Sequence, residues 1–483
     1  MANLKSLFKD TVIYGLSSIV GRFLNYMLMP LYTYMLPVNG GGYDIVTNLY
    51  AFVALIQVIL TFGMETTCFR YANKENENPD TVFSTSIVFI SALTIAFFAM
   101  VWGFIGNISQ ALGYADHPEY ILLMAGVISF DAILAIPFCL LRYQKKSIKF
   151  ASIRLFNICL SIGVTLFFFL VLHKADVYYI FAINFFCSAL NAVFFIPELI
   201  HLRWKVDLSL LRRMFSYSWP ILALGIAGII NQVFDKIIFP TVYPDPEEGR
   251  ILLAEYGACV KIAMCISMMT QAFRYAYEPI VFAKSKDSDK TEYYAQSMKY
   301  FVIFTLLAFL AIMSCIDILK LLVGTDYRAG LKIVPIVMAA EIMMGIYFNL
   351  SFWYKLIDKT IWGLYFSLAG CVVLIIINLL LIPHFGYYAC AWGGFAGYGT
   401  CMLLSYIAGQ KINPIPYDMR SIFTYTALAA VLYACMEMLP FDGILGTACK
   451  LAITAVYVAF MLYKDFPLSM LISHLPLRKS KKI

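Results

Sequence analysis

The chain has 483 residues, of which 61% are hydrophobic and 13% are charged. In soluble globular proteins about a quarter of the residues are charged, so this composition excludes an ordinary soluble domain. The net charge of +7 does not indicate a nucleic-acid partner, because the basic residues lie mainly in short gaps between long apolar stretches.

A helix needs about 20 apolar residues to cross a bilayer. Fourteen such stretches follow one another, and no gap between them has room for a soluble domain. They lie near residues 11–36, 46–70, 82–106, 120–142, 150–172, 176–199, 217–240, 252–281, 299–322, 332–354, 360–382, 387–408, 420–440 and 443–463. The sequence therefore predicts an all-α, polytopic membrane protein with 14 transmembrane helices.

The basic residues fall in alternate gaps. Of the 36 Lys and Arg residues, 25 lie in or beside the even-numbered gaps and the two tails, and five lie in or at the edge of the odd-numbered gaps. Because basic loops are retained in the cytoplasm, this pattern predicts that both termini are cytoplasmic. We expect a multi-pass protein of the bacterial cytoplasmic (inner) membrane, in contact with membrane lipids.

The longest gap, 200–216, divides the chain. Residues 207–216 form an amphipathic pattern that predicts an interfacial helix with Asp207 as its N-cap. Residues 17–30 and 227–240 share hydrophobic positions at an offset of 210, which predicts a parallel repeat of six helices. The predicted domains are an N-lobe (1–206, helices 1–6), a C-lobe (207–408, the interfacial segment and helices 7–12) and helices 13–14 with a basic tail (409–483).

Six basic residues lie inside the apolar stretches, where a charge normally faces protein or a watery cavity. Packing or snorkelling near a helix end accounts for two of them, Arg154 and Lys450. The other four lie on helices 1, 7 and 8, where each lobe begins. They are Arg22, Lys236, Lys261 and Arg274.

Two further residues complete the predicted binding set. Asn25 shares a helical face with Arg22, and Arg70 lies at the cytoplasmic edge of helix 2, where snorkelling is the alternative. A cavity lined by these side chains is positive. Its natural ligand is a phosphate or carboxylate, whose oxygens match the guanidinium fork.

Carboxyl groups within the stretches are candidates for coupling to H+ or Na+, because buried carboxyls exchange protons near neutrality. The main candidates are Glu65, Asp235 and Glu278, and Asp131 and Glu341 are further ones. Two have structural alternatives: Asp235 pairs with the adjacent lysine, and Glu278 pairs with the arginine one turn before it.

The sequence carries no Walker A, GxSxG or HExxH motif, so it predicts neither an enzyme nor a pump with its own nucleotide-binding domain. Its twelve cysteines are scattered, without CxxC or a Cys/His cluster, and are expected to be packing residues. Neither a metal nor another cofactor is predicted.

Four local sequences narrow the assignment. They combine hydrophobic spacing with a few Gly, Pro and Tyr residues: GGYDIVTNLYAFVALIQVILTFGMETTCFRY (41–71), LRRMFSYSWPIL (211–222), VPIVMAA (334–340) and NLLLIPHFGYYACAWG (378–393). With fourteen helices in two lobes, the chain resembles the MOP exporter superfamily. Within it, the local sequences resemble the polysaccharide-transporter, or Wzx-like, flippases.

This resemblance implies translocation of a polyprenyl-diphosphate-linked oligosaccharide from the inner to the outer leaflet, for O-antigen, capsule or exopolysaccharide assembly. By position it implies a cationic cavity that includes Arg22, Asn25, Arg70 and Arg274. Three alternatives stay open. A cation-coupled multidrug antiporter depends on acidic cavity residues. A peptidoglycan-precursor flippase has a longer basic constellation in helix 1. A polysaccharide polymerase or ligase needs a large external loop.

Overall fold

The computed structural model describes residues 19–38, 42–74, 77–283, 290–357, 359–441 and 443–465, without the side chains at 276, 279, 282 and 283. The start of the first predicted span and most of both basic tails lie outside these residues. The described residues form helices and no strand, which confirms the all-α prediction.

Helices α1–α6 form the first half of the chain. Three are interrupted: α1 by a turn at Met27, α2 at Phe62 and Gly63, and α5 by a π-helical last turn. They are α1 (described over 19–26 and Leu28–Met35), α2 (Tyr43–Thr61 and Met64–Ala72), α3 (Pro79–Gly103), α4 (Pro118–Tyr143), α5 (Ser147–Leu166, then Phe167–Val171) and α6 (Val177–Phe194). Short helices follow α3 (Ile105–Ala111) and α6 (Ile196–His201).

Helices α7–α14 form the second half. Short 3₁₀ segments, Lys320–Leu322 and Thr325–Ile333, precede α10, and a short helix, Phe352–Leu356, follows it. The helices are α7 (Leu208–Val242), α8 (Pro246–Ala283), α9 (Lys290–Ser314), α10 (Val334–Leu350), α11 (Ile361–Phe385), α12 (Tyr387–Ile412), α13 (Met419–Glu437) and α14 (Gly443–Lys464).

Twelve of these helices, with their short extensions, are long and apolar enough to cross a membrane. The other two are α1, which is described only from residue 19, and α12. Five glycines and several tyrosines make α12 less apolar, and it packs closely between α10 and α11. Small residues allow such close packing of helices in a bilayer. With α1 and α12 counted, the helices match the fourteen predicted stretches.

The predicted interfacial segment at 207–216 is not a separate helix. Asp207 is an N-cap, as expected, and its carboxylate accepts hydrogen bonds from the N–H groups of Ser209 and Leu210. The helix that it starts runs without a break to Val242, so the segment is the first turns of α7. The Ser209 hydroxyl and these N–H groups lower the pKa of the Asp207 carboxyl.

We refer to the helices on the two sides of the predicted boundary as the N-lobe (α1–α6) and the C-lobe (α7–α12). Between the lobes, α2 lies against α7 and α8. Helices α13 and α14 pack on α9 of the C-lobe, where the Ser314 and Thr454 hydroxyls are 2.7 Å apart. The domain boundaries at 206/207 and 408/409 stay predictions.

An ion pair fixes α14 to a short helix, Ile316–Leu319, that follows α9. Asp317 accepts a hydrogen bond from Lys450 Nζ on α14 at 2.9 Å and another from Lys320 Nζ at 2.8 Å. Lys450 therefore has a buried partner that the sequence did not indicate. Burial acts to raise the pKa of Asp317, but the two ammonium groups outweigh it and lower the pKa of this carboxyl.

Removing the ammonium with Lys450→Met should lower the unfolding free energy by about 3–5 kcal/mol, because it leaves a buried carboxylate short of a partner. The Asp317→Asn/Lys450→Met double variant should lose less. Since the folded-state pKa of Asp317 is depressed, the loss should be full near pH 7 and shrink as the pH falls through that pKa. Thermal unfolding in detergent measures this. Lys411→Met, at an exposed lysine, is the control, and an equal loss there would contradict the assignment.

Candidate functional site

A central cavity lies between the lobes and has two joined compartments, which share Arg22, Gln232 and Gln271 in their linings. We call the end of the molecule that carries the basic loops the basic end, and the other the far end. The basic-end compartment, of about 330 Å³, reaches Arg274 on α8. The far compartment, of about 300 Å³, reaches Lys261, nearer the start of α8.

Arg22 is placed in this cavity by α1. Its Nη1 donates a hydrogen bond of 2.5 Å to Gln271 Oε1 on α8, so the bond bridges the two lobes. The side chain is exposed to the cavity, and among the described residues the remaining donors of its guanidinium fork have no hydrogen-bond partner. Arg22 is therefore available to an anionic ligand.

Arg274 is held by two groups on the C-lobe side, Glu278 and Phe348. Its Nε lies 3.6 Å from Glu278 Oε2, one helical turn away, and its guanidinium carbon lies 4.7 Å above the Phe348 ring centroid. Glu278 also accepts a hydrogen bond of 3.2 Å from Lys355 Nζ. Because Lys355 shares the carboxylate, the negative charge of Glu278 is divided between two cations.

The two predicted lysines line the far compartment. Lys261 Nζ lies 4.9 Å from the Tyr26 ring centroid, a cation–π contact with α1 across the cavity. Lys236 Nζ lies 3.0 Å from each Asp235 oxygen and also faces a smaller pocket inside the C-lobe. The structure thus brings four of the six predicted binding residues into one cavity.

The other two do not line either compartment. Asn25 is exposed on α1 but is absent from both linings, although it lies one turn from Arg22. Arg70 lies at the basic end with its guanidinium carbon 4.1 Å from the Tyr217 ring centroid on α7. Arg70 therefore joins the lobes at their basic end in this conformation.

The coupling candidates all lie beside basic groups. Asp235 and Glu278 have the ion pairs given above, and Glu65 is within electrostatic range of Arg142 and Arg154. The Arg154 guanidinium carbon lies 5.1 and 4.9 Å from two phenylalanine rings, as the packing interpretation predicts. It is also within electrostatic range of Arg22.

Neutral and loop-assigned residues of the site escaped the sequence analysis. Gln271 and Gln232 line both compartments but carry no charge to mark them within an apolar stretch. Lys355 looked like one of the basic-loop residues that set topology. Glu341, one of the further coupling candidates, lines the basic-end compartment beside Ser267. Gln271, Gln232 and Lys355 are identified only by the contacts between helices.

The charges of the lining are unequal. Among the described residues, four basic side chains line the two compartments, against two carboxylates. The basic residues are Arg22, Arg274, Lys236 and Lys261, and the acidic ones are Glu278 and Glu341. In a low-dielectric cleft such an excess attracts anions strongly. The cavity is therefore suited to an anionic ligand with several oxygens.

The far end of the cavity is closed by bonds between the lobes. Tyr327 donates from its hydroxyl to the Leu36 carbonyl at 3.1 Å, and the Gly324 N–H donates to Thr33 Oγ1 at 3.0 Å. Asn48 Nδ2 on α2 donates to the Lys236 carbonyl on α7 at 2.7 Å. The lining extends down α8 toward the basic end, so this conformation is the one that is closed at the far end.

Known proteins share this architecture. The solved structure of the lipid II flippase MurJ in an inward closed conformation superposes with a TM-score of 0.75 at 14% identity, over 94% of this chain and 99% of that one. An inward-facing multidrug resistance MATE family transporter of the MOP superfamily gives 0.66 at 12% identity, over 81% of this chain and 94% of that one. These likenesses show the fold.

Among curated proteins, none matches this sequence. The family model for polysaccharide biosynthesis proteins matches residues 7–281, which is more than half of the chain and includes α1, α2, α7 and almost all of α8. That match covers the helices that carry Arg22, Lys236, Lys261 and Arg274. The chain is a multi-pass membrane protein of the MOP transporter fold and belongs to the polysaccharide biosynthesis protein family.

Proposed function

We propose that the chain is a flippase that moves a polyprenyl-diphosphate-linked oligosaccharide from the cytoplasmic to the outer leaflet by alternating access. The observation that carries this proposal is the excess of basic over acidic residues in the lining of the central cavity. A diphosphate has the oxygens that guanidinium forks bind in pairs. The family match supports a substrate of polysaccharide biosynthesis.

The proposed orientation follows from the basic loops. We place the basic end and both termini in the cytoplasm of a bacterial cell, at the inner membrane. The cavity, closed at the far end, then receives the diphosphate from the cytoplasmic side. Arg22 and Arg274 bind it, with Lys236 and Lys261 deeper in the cavity, while the polyprenyl chain stays among the membrane lipids. Coupling to H+ or Na+ through Glu65, Asp235 or Glu278 stays a prediction.

Arg70 and Asn25 have a different place in this proposal from the four lining residues. Arg70 lies on Tyr217, which belongs to the other lobe, so its contact breaks if the basic end separates. Asn25 is exposed one turn along α1 from Arg22. Both meet the substrate only after the lobes have rearranged.

Flipping in vesicles tests the function. The purified chain is reconstituted with a short polyprenyl-diphosphate glycolipid that carries a fluorescent nitrobenzoxadiazole group. Dithionite, which cannot cross the bilayer, should quench the label of both leaflets when the chain is present, and only that of the outer leaflet in vesicles without it. A fluorescent phosphatidylcholine controls for leakage and scrambling.

Two other substrates separate the alternatives. A cationic dye tests the multidrug antiporter, and labelled lipid II tests the peptidoglycan-precursor flippase. We expect movement of the glycolipid and no movement of the dye, because the excess of basic groups repels cations. Dye transport without glycolipid transport would overturn the proposal in favour of the antiporter. Preference for lipid II over the glycolipid would identify the peptidoglycan precursor as the substrate.

A further inference from the structure

Lys236 lies between two cavities. It lines the far compartment of the central cavity and also a pocket of about 40 Å³ inside the C-lobe. Asp235, the preceding residue, lines the C-lobe pocket and neither compartment of the central cavity. One ammonium group therefore faces both the central cavity and a carboxylate that the central cavity does not reach.

Asp235 depends on this ammonium. It is 6% exposed, and Lys236 Nζ lies 3.0 Å from both of its oxygens. Among the described residues, no other Lys, Arg or His makes a salt bridge with it. Its remaining strong contact is a hydrogen bond donated by the Tyr256 hydroxyl to Oδ2. A buried carboxylate without a counter-ion is costly, so Asp235 retains Lys236 when the cavity is empty.

Lys236 also faces the far compartment of the central cavity. Lys261 and Arg22 line the same far compartment and repel it, and Lys261 is within electrostatic range. An anion bound there removes this repulsion and attracts the Lys236 ammonium. A lysine is suited to such a change, because its charge is compact and its four-carbon stem is flexible. Tyr256 remains on Asp235 and lowers the cost of unpairing it.

We infer that Lys236 is an exchangeable counter-ion, which pairs with Asp235 in the empty cavity and with the diphosphate of the substrate in the loaded one. This inference rests on the proposed function and adds a role for Asp235. Asp235 competes with the substrate for Lys236, weakens binding and thereby speeds release. A ligand that bound Lys236 without such competition would leave the cavity slowly.

A double-mutant cycle tests the exchange. The dissociation constant of farnesyl diphosphate, which carries the polyprenyl-diphosphate chemistry without a glycan, is measured by calorimetry on the purified full chain. Asp235→Asn should tighten binding about tenfold, since it frees the ammonium. Lys236→Met should weaken binding about tenfold. In the Asp235→Asn/Lys236→Met double variant the affinity should equal that of Lys236→Met. Without the Lys236 ammonium, residue 235 and the diphosphate have nothing to compete for.

The controls isolate the pair. Asp326→Asn makes the same change of charge at an exposed far-end residue and should leave the affinity unchanged. Tyr256→Phe should weaken binding, because it makes the unpaired Asp235 carboxylate more costly. This change in affinity is opposite to that expected for Asp235→Asn, so it tests the same exchange if Asp235→Asn does not fold. Equal tightening by Asp235→Asn with and without Lys236, or no tightening with wild-type binding intact, would overturn the exchange alone. Absence of wild-type binding would overturn the diphosphate proposal with it.

Discussion

Arg22→Ala and Arg274→Ala should each abolish export of the surface polysaccharide while the protein still accumulates in the membrane. The two side chains line the same basic-end compartment, Arg22 from α1 and Arg274 from α8. Each is expected to donate two charge-assisted hydrogen bonds to the diphosphate, so losing one fork should weaken binding about a hundredfold. Polymer on the surface of complemented cells and membrane abundance are the two measurements.

The conservative variants refine this expectation. Arg22→Lys and Arg274→Lys keep the charge but lose the planar fork, so they should retain part of the export. Arg212→Ala removes an exposed arginine from the first turns of α7, outside the cavity, and should export normally. Wild-type levels of polymer in both cavity variants would exclude these arginines from the binding site. Loss of export in Arg212→Ala to the same extent would show that positive charge in general is what matters.

The sequence predicted the helices well because crossing a membrane requires length and apolarity, which are properties of one segment at a time. The N-cap at Asp207 was predictable for the same reason, since its partners are two and three residues away. The end of that element was predicted wrongly: the amphipathic pattern over 207–216 indicated a separate interfacial helix, whereas the segment continues into the 35-residue α7.

The site was predictable only where charge marks a residue. Four basic residues within apolar stretches line the cavity. A charge that faces lipid is costly, and a watery cavity removes that cost. Gln271 binds Arg22 across the lobes, yet a glutamine in a helix has no such cost and no such signal. Lys355 shares Glu278 with Arg274, but its sequence position is that of a topology-setting residue. Partners between helices depend on packing angles that the sequence does not display.

The closed far end depends on a close approach of α2 and α8. Gly257 on α8 faces Thr47 on α2, and a Cβ at Gly257 would lie 2.2 Å from Thr47 Oγ1 and 2.9 Å from Thr47 Cβ. Rotation of the threonine can move its Oγ1 but not its Cβ. Gly257→Ala should therefore separate the helices at this end, at a cost of about 1–3 kcal/mol to the conformation described. The glycolipid flipping rate should fall about tenfold, because the conformation that receives the substrate, with its far end closed, becomes less populated.

Removing the Thr47 side chain from the Gly257→Ala variant should restore flipping. In Thr47→Gly/Gly257→Ala the methyl group lies on the other helix and the contact is again free of overlap, so the rate should recover most of its loss. Gly228→Ala on α7 is the matched control, because a Cβ there meets nothing within 4 Å. If these helices were sensitive to added methyl groups in general, Gly228→Ala and Gly257→Ala would lose the same fraction of the flipping rate. Thr47→Gly would then not rescue Gly257→Ala. Loss confined to Gly257→Ala, reversed by Thr47→Gly, identifies the α2–α8 contact as the part of the far end that must close.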